Sequence, residues 1–295
     1  MKIALGGASG LVGTRLVADL RAEGHEVLRF VRRPAAAVDE LQWDPTAPLP
    51  PATLTGVDAV VHLGGVSVAD GRWTAAQQAA IRDSRVDSTR TLAAAIAAAG
   101  VPVFVCASAT GLYGDGGDTV LTEESPPGEG FLASVCVDWE AATAAAAEAG
   151  ARVVQARIGI VLDPAGGALG KMLPLFKRGL GSRLGGGRQW MSWIDARDLS
   201  RALRFALARP TVVGPINCVA PEPVTNAEFT TTLARALGKR TFLPAPALAL
   251  KLALGQMAEE ALLGSTRALP TRLQAAGFSF EFSRLADSLA SLLGR

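Results

Sequence analysis

The sequence predicts an α/β fold, a doubly wound parallel sheet with a smaller, mostly helical lobe at its C-terminal end. Short, nearly continuous apolar runs recur at Lys2–Leu5, Glu26–Val31, Asp58–Leu63, Pro102–Ala107 and Arg152–Ile160. Runs of that length and polarity suit strands buried on both faces, which is the condition of a parallel sheet covered by helices. Segments of helical periodicity separate them, and the first turn between strand and helix is a string of glycines. Beyond about Leu162 the alternation weakens.

The elements follow in order. Lys2–Leu5 is a strand that ends in glycines, and Leu11–Ala22 places Leu11, Val12, Leu16, Val17 and Leu20 at helical spacing before Gly24 stops it. Glu26–Val31 is the second strand, so strand, glycine turn, helix and strand fit within about 30 residues, the proportions of a βαβ crossover. Asp58–Leu63 is a buried strand, Thr74 to Ala99 a helix, Pro102–Ala107 a strand, Phe131–Ala149 a helix and Arg152–Ile160 a further strand. The Ala-rich Ala141–Ala149 belongs to its helix because alanine is the strongest helix former. Later glycines at 166–167, 179, 181 and 185–187 mark loops, and the turn-rich Pro210–Pro223 surrounds one more strand at Ile216–Val219. From Thr225 the chain reads as helices interrupted at Gly238, Pro244-Ala245-Pro246, Pro270 and Gly277. The expected division is residues 1–225, with substrate-side elements in 163–225, and a small C-terminal domain over 226–295.

Composition excludes several functions. The 29 basic and 27 acidic residues nearly cancel without long runs of one sign, so neither a nucleic-acid groove nor an anionic membrane surface is expected as partner. Cys106, Cys136 and Cys218 are scattered and the two histidines are His25 and His62, so no metal site and no disulfide framework is expected. The apolar stretches stop short of the roughly 20 residues of a membrane span, and Met1-Lys2-Ile3 runs directly into the first strand without a signal peptide. A cytoplasmic protein acting on an unidentified small molecule is the expectation; the oligomeric state stays open.

The glycine string is Gly6-Gly7-Ala8-Ser9-Gly10-Leu11-Val12-Gly13. Gly7-x-x-Gly10-x-x-Gly13 between a strand and a helix is the fingerprint of a Rossmann-type dinucleotide site. Its glycines permit a tight turn and bring backbone N–H groups and the positive helix end to a pyrophosphate. Ser9 can donate to the same phosphates. The end of the second strand selects between cofactors. An acid there binds the ribose 2′-hydroxyl of NAD, whereas an arginine accommodates the 2′-phosphate of NADP. Here the strand ends Phe30-Val31-Arg32-Arg33-Pro34 with no acid before Asp39. The expected cofactor is therefore NADP(H), with Arg32 the first choice and Arg33 the second as phosphate ligand.

Further segments resemble the extended short-chain dehydrogenase/reductases, the superfamily of nucleotide-sugar epimerases and dehydratases. Val60-Val61-His62-Leu63-Gly64-Gly65 resembles its cofactor-crossing strand, Ser108 to Gly114 its S-x-x-x-YG segment, and Trp193-Ile194-Asp195-Ala196-Arg197-Asp198-Leu199 an element of its substrate lobe. A closer resemblance is to an atypical branch, the epimerase family proteins, some called cell-division-inhibitor-like. Arg72-Trp73-Thr74, Asp83-Ser84-Arg85, Phe131-Leu132-Ala133, Asp138-Trp139-Glu140, the string from Gly185 to Trp193 and that from Ala220 to Phe229 carry it. Leu269-Pro270 and Ala276-Gly277-Phe278 resemble the small C-terminal domain of unknown function of that branch. The resemblance runs from about Met1 to Leu293. It implies cofactor contacts at Val31, Arg32, Leu63, Gly64, Arg85 and Val161 besides the glycine loop; Ser108, near the position of the superfamily's catalytic hydroxyl, is expected at the cofactor as well.

The usual Tyr-x-x-x-Lys pair is missing. The i, i+4 spacing would put both side chains on one helix face, where the lysine lowers the tyrosine pKa. The single tyrosine is Tyr113, and four residues on stands Gly117; Leu132 and Cys136 occupy the tyrosine and lysine places. Ser108, Tyr113, Glu123, Cys136 and Asp138 are the candidates for another acid or base, with Ser108 and Tyr113 put first. Arg183, Arg188, Gln189, Trp190 and Trp193 form either an anion clamp for a nucleotide-like ligand or a loop pinned by tryptophan packing. Three readings stay open: an oxidoreductase or epimerase with a different acid/base, a catalytically silent NADP(H)-binding regulator, and an interaction protein using the apolar segment from Pro244 to Leu263.

Overall fold

A computed structural model describes residues 1–241 and 244–294. The chain runs β1 (Lys2–Gly6), α1 (Leu11–Ala22), β2 (Glu26–Val31), β3 (Glu40–Gln42), β4 (Ala59–His62), α2 (Ala75–Ala99), β5 (Val103–Ala109), β6 (Val120–Leu121), α3 (Phe131–Ala141), α4 (Ala144–Glu148), β7 (Arg152–Ile158), β8 (Ile160–Asp163) and α5 (Gly167–Lys177). It continues through β9 (Trp190–Met191), β10 (Trp193–Asp195), α6 (Ala196–Ala208), β11 (Gly214–Cys218), β12 (Val224–Thr225), α7 (Asn226–Ala236), α8 (Ala247–Leu254), β13 (Arg267–Ala268), α9 (Thr271–Ala275) and α10 (Leu285–Leu292).

Seven strands form the central sheet in the order β11-β7-β5-β4-β1-β2-β3, with every pair parallel. The chain winds outward from β1 to β3, then returns to the other side of β1 as β4. The switch point between β1 and β4 leaves a crevice at the carboxyl ends of the strands, where ligands bind in sheets of this kind. Side chains alternate between two cores with the period of two that a strand dictates. Ile3 and Leu5 pack with Leu16 and Leu20 of α1 and with Leu199 and Leu203 of α6. Ala4 and Val60 face the other way, toward Leu92 and Ile96 of α2 and Trp139 of α3. The length of α2 follows from its ends: Thr74 Oγ1 accepts the Gln77 amide at 3.2 Å, and Gly100 closes the helix in the left-handed region at φ 66°.

Three local expectations change. The single helix from Phe131 to Ala149 is two, because Thr143 Oγ1 donates back to the Glu140 carbonyl at 2.7 Å and opens a turn between α3 and α4. The strand expected to run to Ile160 leaves the sheet after Ile158. Gly159 N still donates to the Cys218 carbonyl, but Ile160 N turns to that of Ser192, and β8 pairs with β10 in a separate two-stranded sheet. The edge strand β3 adds to the sheet with three residues, too few for a periodicity to be visible.

The segment after Thr225 packs at several places. α10 and α7 enclose Phe229, Leu233, Leu285 and Leu289 together with Trp193. Leu273 of α9 and Phe278 join the α1/α6 core, and β13 pairs in parallel with β6. α8 buries none of its residues.

Candidate functional site

The glycine loop is built by close backbone approach. Gly7 takes φ 80°, Gly10 N donates to the Gly7 carbonyl at 3.0 Å, and Gly10 enters α1 extended, without a side-chain cap. The first amides of this 12-residue helix therefore point outward from its N-terminus with the positive end of its dipole. A Cβ on Gly7 would lie 2.7 Å from the Leu63 carbonyl carbon and 2.8 Å from the Gly64 nitrogen. The loop after β1 and that after β4 thus touch. Leu11 packs on Gly166 and Gly167, the latter against the Val161 carbonyl. Gly7, Gly10, Leu11, Gly13, Leu63, Gly64 and Val161 are thereby brought around one crevice. Val12 packs against the core beneath it, and Ser9 is exposed at its rim. His62 fills the space under the loop, with Nε2 2.8 Å from Ser88 Oγ and a pKa that burial lowers to about 4.

Beside this crevice, at the ends of β2 and β3, opens a cleft of ≈ 590 Å³ lined by Arg32, Gln42, Trp43, Asp44, Pro45 and Leu49, among others. Trp43 N donates to the Val31 carbonyl at 2.9 Å, and the Trp43 ring stands edge-on to His62, centroids 6.0 Å apart. The cleft is therefore one side chain away from the glycine loop. Arg32 is exposed and makes no ion pair among the described residues. Arg33 is engaged: its two terminal nitrogens donate to Glu40 Oε2 at 2.8 Å and Oε1 at 2.6 Å. Sequence reasoning missed Trp43-Asp44-Pro45, for which a tryptophan beside a turn was the available signal.

Arg85 reaches from α2 to the loop after β4. Its terminal nitrogens donate to the Ile81 and Val66 carbonyls at 3.0 Å each, its guanidinium stands 5.2 Å from the Trp139 ring centroid, and burial lowers its pKa. No carboxylate pairs with it among the described residues.

The candidate acids and bases are tied into the fold. β5, β7 and β11 bring Ser108, Arg157 and Asn217 into one row. Ser108 Oγ donates to Glu140 Oε1 at 2.7 Å, and Arg157 binds both oxygens of Glu140 at 2.8 and 2.9 Å. Arg157 Nη1 also donates to the Tyr113 hydroxyl at 3.0 Å, which in turn donates to Asn217 Oδ1 at 2.7 Å. Burial raises the Tyr113 pKa even though Arg157 opposes it. Glu123 is buried and accepts the amides of Asn217 and Arg272. Burial pushes the Cys136 thiol up to about 12, and Asp138 pairs with Arg82 at the surface at 3.0 Å. Leu132 sits in an apolar cluster with Trp73, Ile81, Val135, Met257 and Leu262. Arg157 was overlooked, although an arginine inside the apolar run from Val153 to Leu162 is its signal. A Tyr113→Phe variant is expected to lose about 1–3 kcal/mol of unfolding free energy, because it leaves a buried acceptor and a buried donor without their shared partner. Urea denaturation measures it.

Of the clamp residues, Gln189 donates to the Leu184 and Leu262 carbonyls, the Trp190 indole donates to Asp118 Oδ1 at 2.8 Å beneath the Arg267 guanidinium, and Trp193 is fully buried. Arg183 and Arg188 are exposed. Among the described residues no cluster of His, Cys, Asp and Glu could hold a metal ion, and no helix is long and apolar enough to cross a membrane.

The sequence pattern of the NAD dependent epimerase/dehydratase family matches residues 3–218, and that of a domain of unknown function matches residues 245–292. An epimerase family protein of Mycobacterium bovis is 51% identical over 288 residues, covering 97% of this chain and 96% of its own. The crystal structure of human epimerase family protein SDR39U1 (isoform 2) with NADPH has a TM-score of 0.92 at 34% identity, covering 100% of this chain and 99% of that one. UDP-glucose 4-epimerase of Thermus thermophilus, solved in complex with NAD, shares the fold at a TM-score of 0.75 and 19% identity, with 100% and 98% covered.

Proposed function

The chain belongs to the NAD dependent epimerase/dehydratase family, and from that premise we propose that it binds NADP(H) and performs oxidoreduction or epimerisation on an unidentified small molecule without a tyrosine–lysine pair. The observation that carries the cofactor reading is Arg32, without an ion pair among the described residues, at a cleft that adjoins the glycine loop through Trp43 and His62. The residues present fit a dinucleotide. The amides at the start of α1 and the Ser9 hydroxyl hold the pyrophosphate, Arg32 takes the 2′-phosphate, and Trp43 and Leu49 offer apolar surface to the adenine. Leu63, Gly64, Arg85 and Val161 border the nicotinamide half. NADP(H) supplies hydride exchange at its nicotinamide; the chain supplies orientation and charge. The NADPH of the human relative supports this choice.

Ser108, at the carboxyl end of β5 near the place of the family's catalytic hydroxyl, donates its proton to Glu140, and Tyr113, in the turn after β5, donates its own to Asn217. That observation favours a second reading, a catalytically silent NADP(H)-binding regulator. Substrate panels separate the two: carbonyls followed by NADPH absorbance, and nucleotide-sugars followed by chromatography of the epimers, because epimerisation returns the cofactor to its starting redox state. Absence of turnover in a protein that binds NADPH tightly selects the regulator.

Titration by fluorescence tests the cofactor. Arg32→Ala is expected to weaken NADPH about 10- to 100-fold, the worth of a charge-assisted contact to phosphate, and to leave NADH unchanged. Equal affinity of the unaltered protein for NADPH and NADH removes the phosphate argument.

A further inference from the structure

The register of β2 with β3 sets Arg29 opposite Glu40. The Glu40 side chain is only 3% exposed, yet it carries a charge. Four donors converge on it: both terminal nitrogens of Arg33, Arg29 Nη2 at 3.2 Å and the Ala36 amide at 2.8 Å. The Arg33 guanidinium and the Ala36 amide hold its carboxyl at about 2. Arg29 is shared, since Nε and Nη2 also bind Asp39 at 2.8 and 2.9 Å. Arg33 has no carboxylate partner but Glu40 among the described residues. The turn from Arg33 to Ala37 therefore folds back over a carboxylate that neutralises the second of the two adjacent arginines. Arg32 faces the cleft and makes no ion pair among the described residues.

The structure assigns Glu40 as a selectivity residue of the cofactor site: by pairing with Arg33 it cancels that charge and leaves recognition of a 2′-phosphate to Arg32 alone. This rests on the NADP(H) reading. A phosphate monoester carries about −1.5 to −2 charges at neutral pH, and at the low ionic strength in which the titrations are run a unit charge about 10 Å away through water changes its affinity by roughly threefold. Arg33 and Glu40 thus have opposite, mutually cancelling effects on the ratio of NADPH to NADH affinity. Direct contact of Arg33 with the phosphate gives a different pattern.

The test is a double-mutant cycle read by fluorescence titration of NADPH and NADH, with thermal melting of each variant. Arg33→Ala exposes the Glu40 charge and is expected to lower the ratio about threefold. Glu40→Gln exposes the Arg33 charge and is expected to raise it about threefold. The double variant is expected to return to the ratio of the unaltered protein. A double variant as weak for NADPH as Arg33→Ala makes Arg33 a direct ligand and overturns the proposal, as does an unchanged or lowered ratio in Glu40→Gln. Should Glu40→Gln fail to melt cooperatively, Arg33→Ala decides alone: an unchanged ratio overturns the assignment. Failure of the NADP(H) reading looks different, because then Arg32→Ala also leaves the ratio unchanged, and the assignment falls with it.

Discussion

Asp198→Ala is expected to cost about 1–3 kcal/mol of unfolding free energy, the range for leaving buried donors without their acceptor. Asp198 is fully buried on α6, where its oxygens accept Arg201 Nη1 at 2.6 Å and the amides of Glu281 and Phe282 at 3.0 and 2.8 Å. Alanine leaves two amides without an acceptor, whereas Arg201, 35% exposed and 4.0 Å from Glu281, keeps water and a second carboxylate within reach. Asp195, one turn earlier, caps α6 through the Arg197 amide and accepts Ser288 Oγ at 2.7 Å, while the Arg197 guanidinium lies 3.9 Å from the Phe282 ring centroid. These two aspartates fasten residues 281–288 to the helix that covers the central sheet. Urea unfolding of the variant, with limited proteolysis of the C-terminal segment, measures the effect. A loss below about 1 kcal/mol shows that water or a neighbouring side chain replaces the carboxylate.

That pair shows where the sequence could be read and where it could not. Trp193-Ile194-Asp195-Ala196-Arg197-Asp198-Leu199 was legible as a motif of the family, and its resemblance pointed to a substrate lobe. The groups the aspartates hold lie more than 80 residues further along the chain, and no local pattern encodes such a partner. The central sheet was legible because burial on both faces forces long apolar runs, and its helices because α1 and α2 carry glycines at their ends. The crevice was legible through the glycine spacing, which is a backbone requirement written in consecutive residues. The Arg33–Glu40 pair was not, because only the pairing of β2 with a three-residue edge strand brings Glu40 onto Arg33. The row Ser108, Arg157 and Asn217 is of the same kind, since it exists only once three strands lie in register.

Gly13→Ala tests the feature on which the cofactor reading depends, and it is expected to abolish nucleotide binding. An ideal Cβ on Gly13 would fall 2.1 Å from the Gly7 carbonyl oxygen and 2.9 Å from Ala8 Cα. Both are backbone atoms, so no rotamer change relieves the clash. The loop must lift from the first turn of α1. Gly13 is buried at the base of that turn; the methyl group is expected to cost about 1–3 kcal/mol or more in stability, as overpacking does. Binding suffers further. The same displacement moves the Gly7 carbonyl that accepts Gly10 N and the Ala8 carbonyl that accepts Thr14 Oγ1, and these fix the amides that meet the pyrophosphate. A drop of at least about 100-fold in affinity for both NADPH and NADH is expected, corresponding to some 2.7 kcal/mol or more. Loss of both distinguishes this change from Arg32→Ala, which acts on the 2′-phosphate only. If Gly13→Ala folds and binds NADPH as the unaltered protein does, the glycine loop is a packing turn and the dinucleotide lies elsewhere.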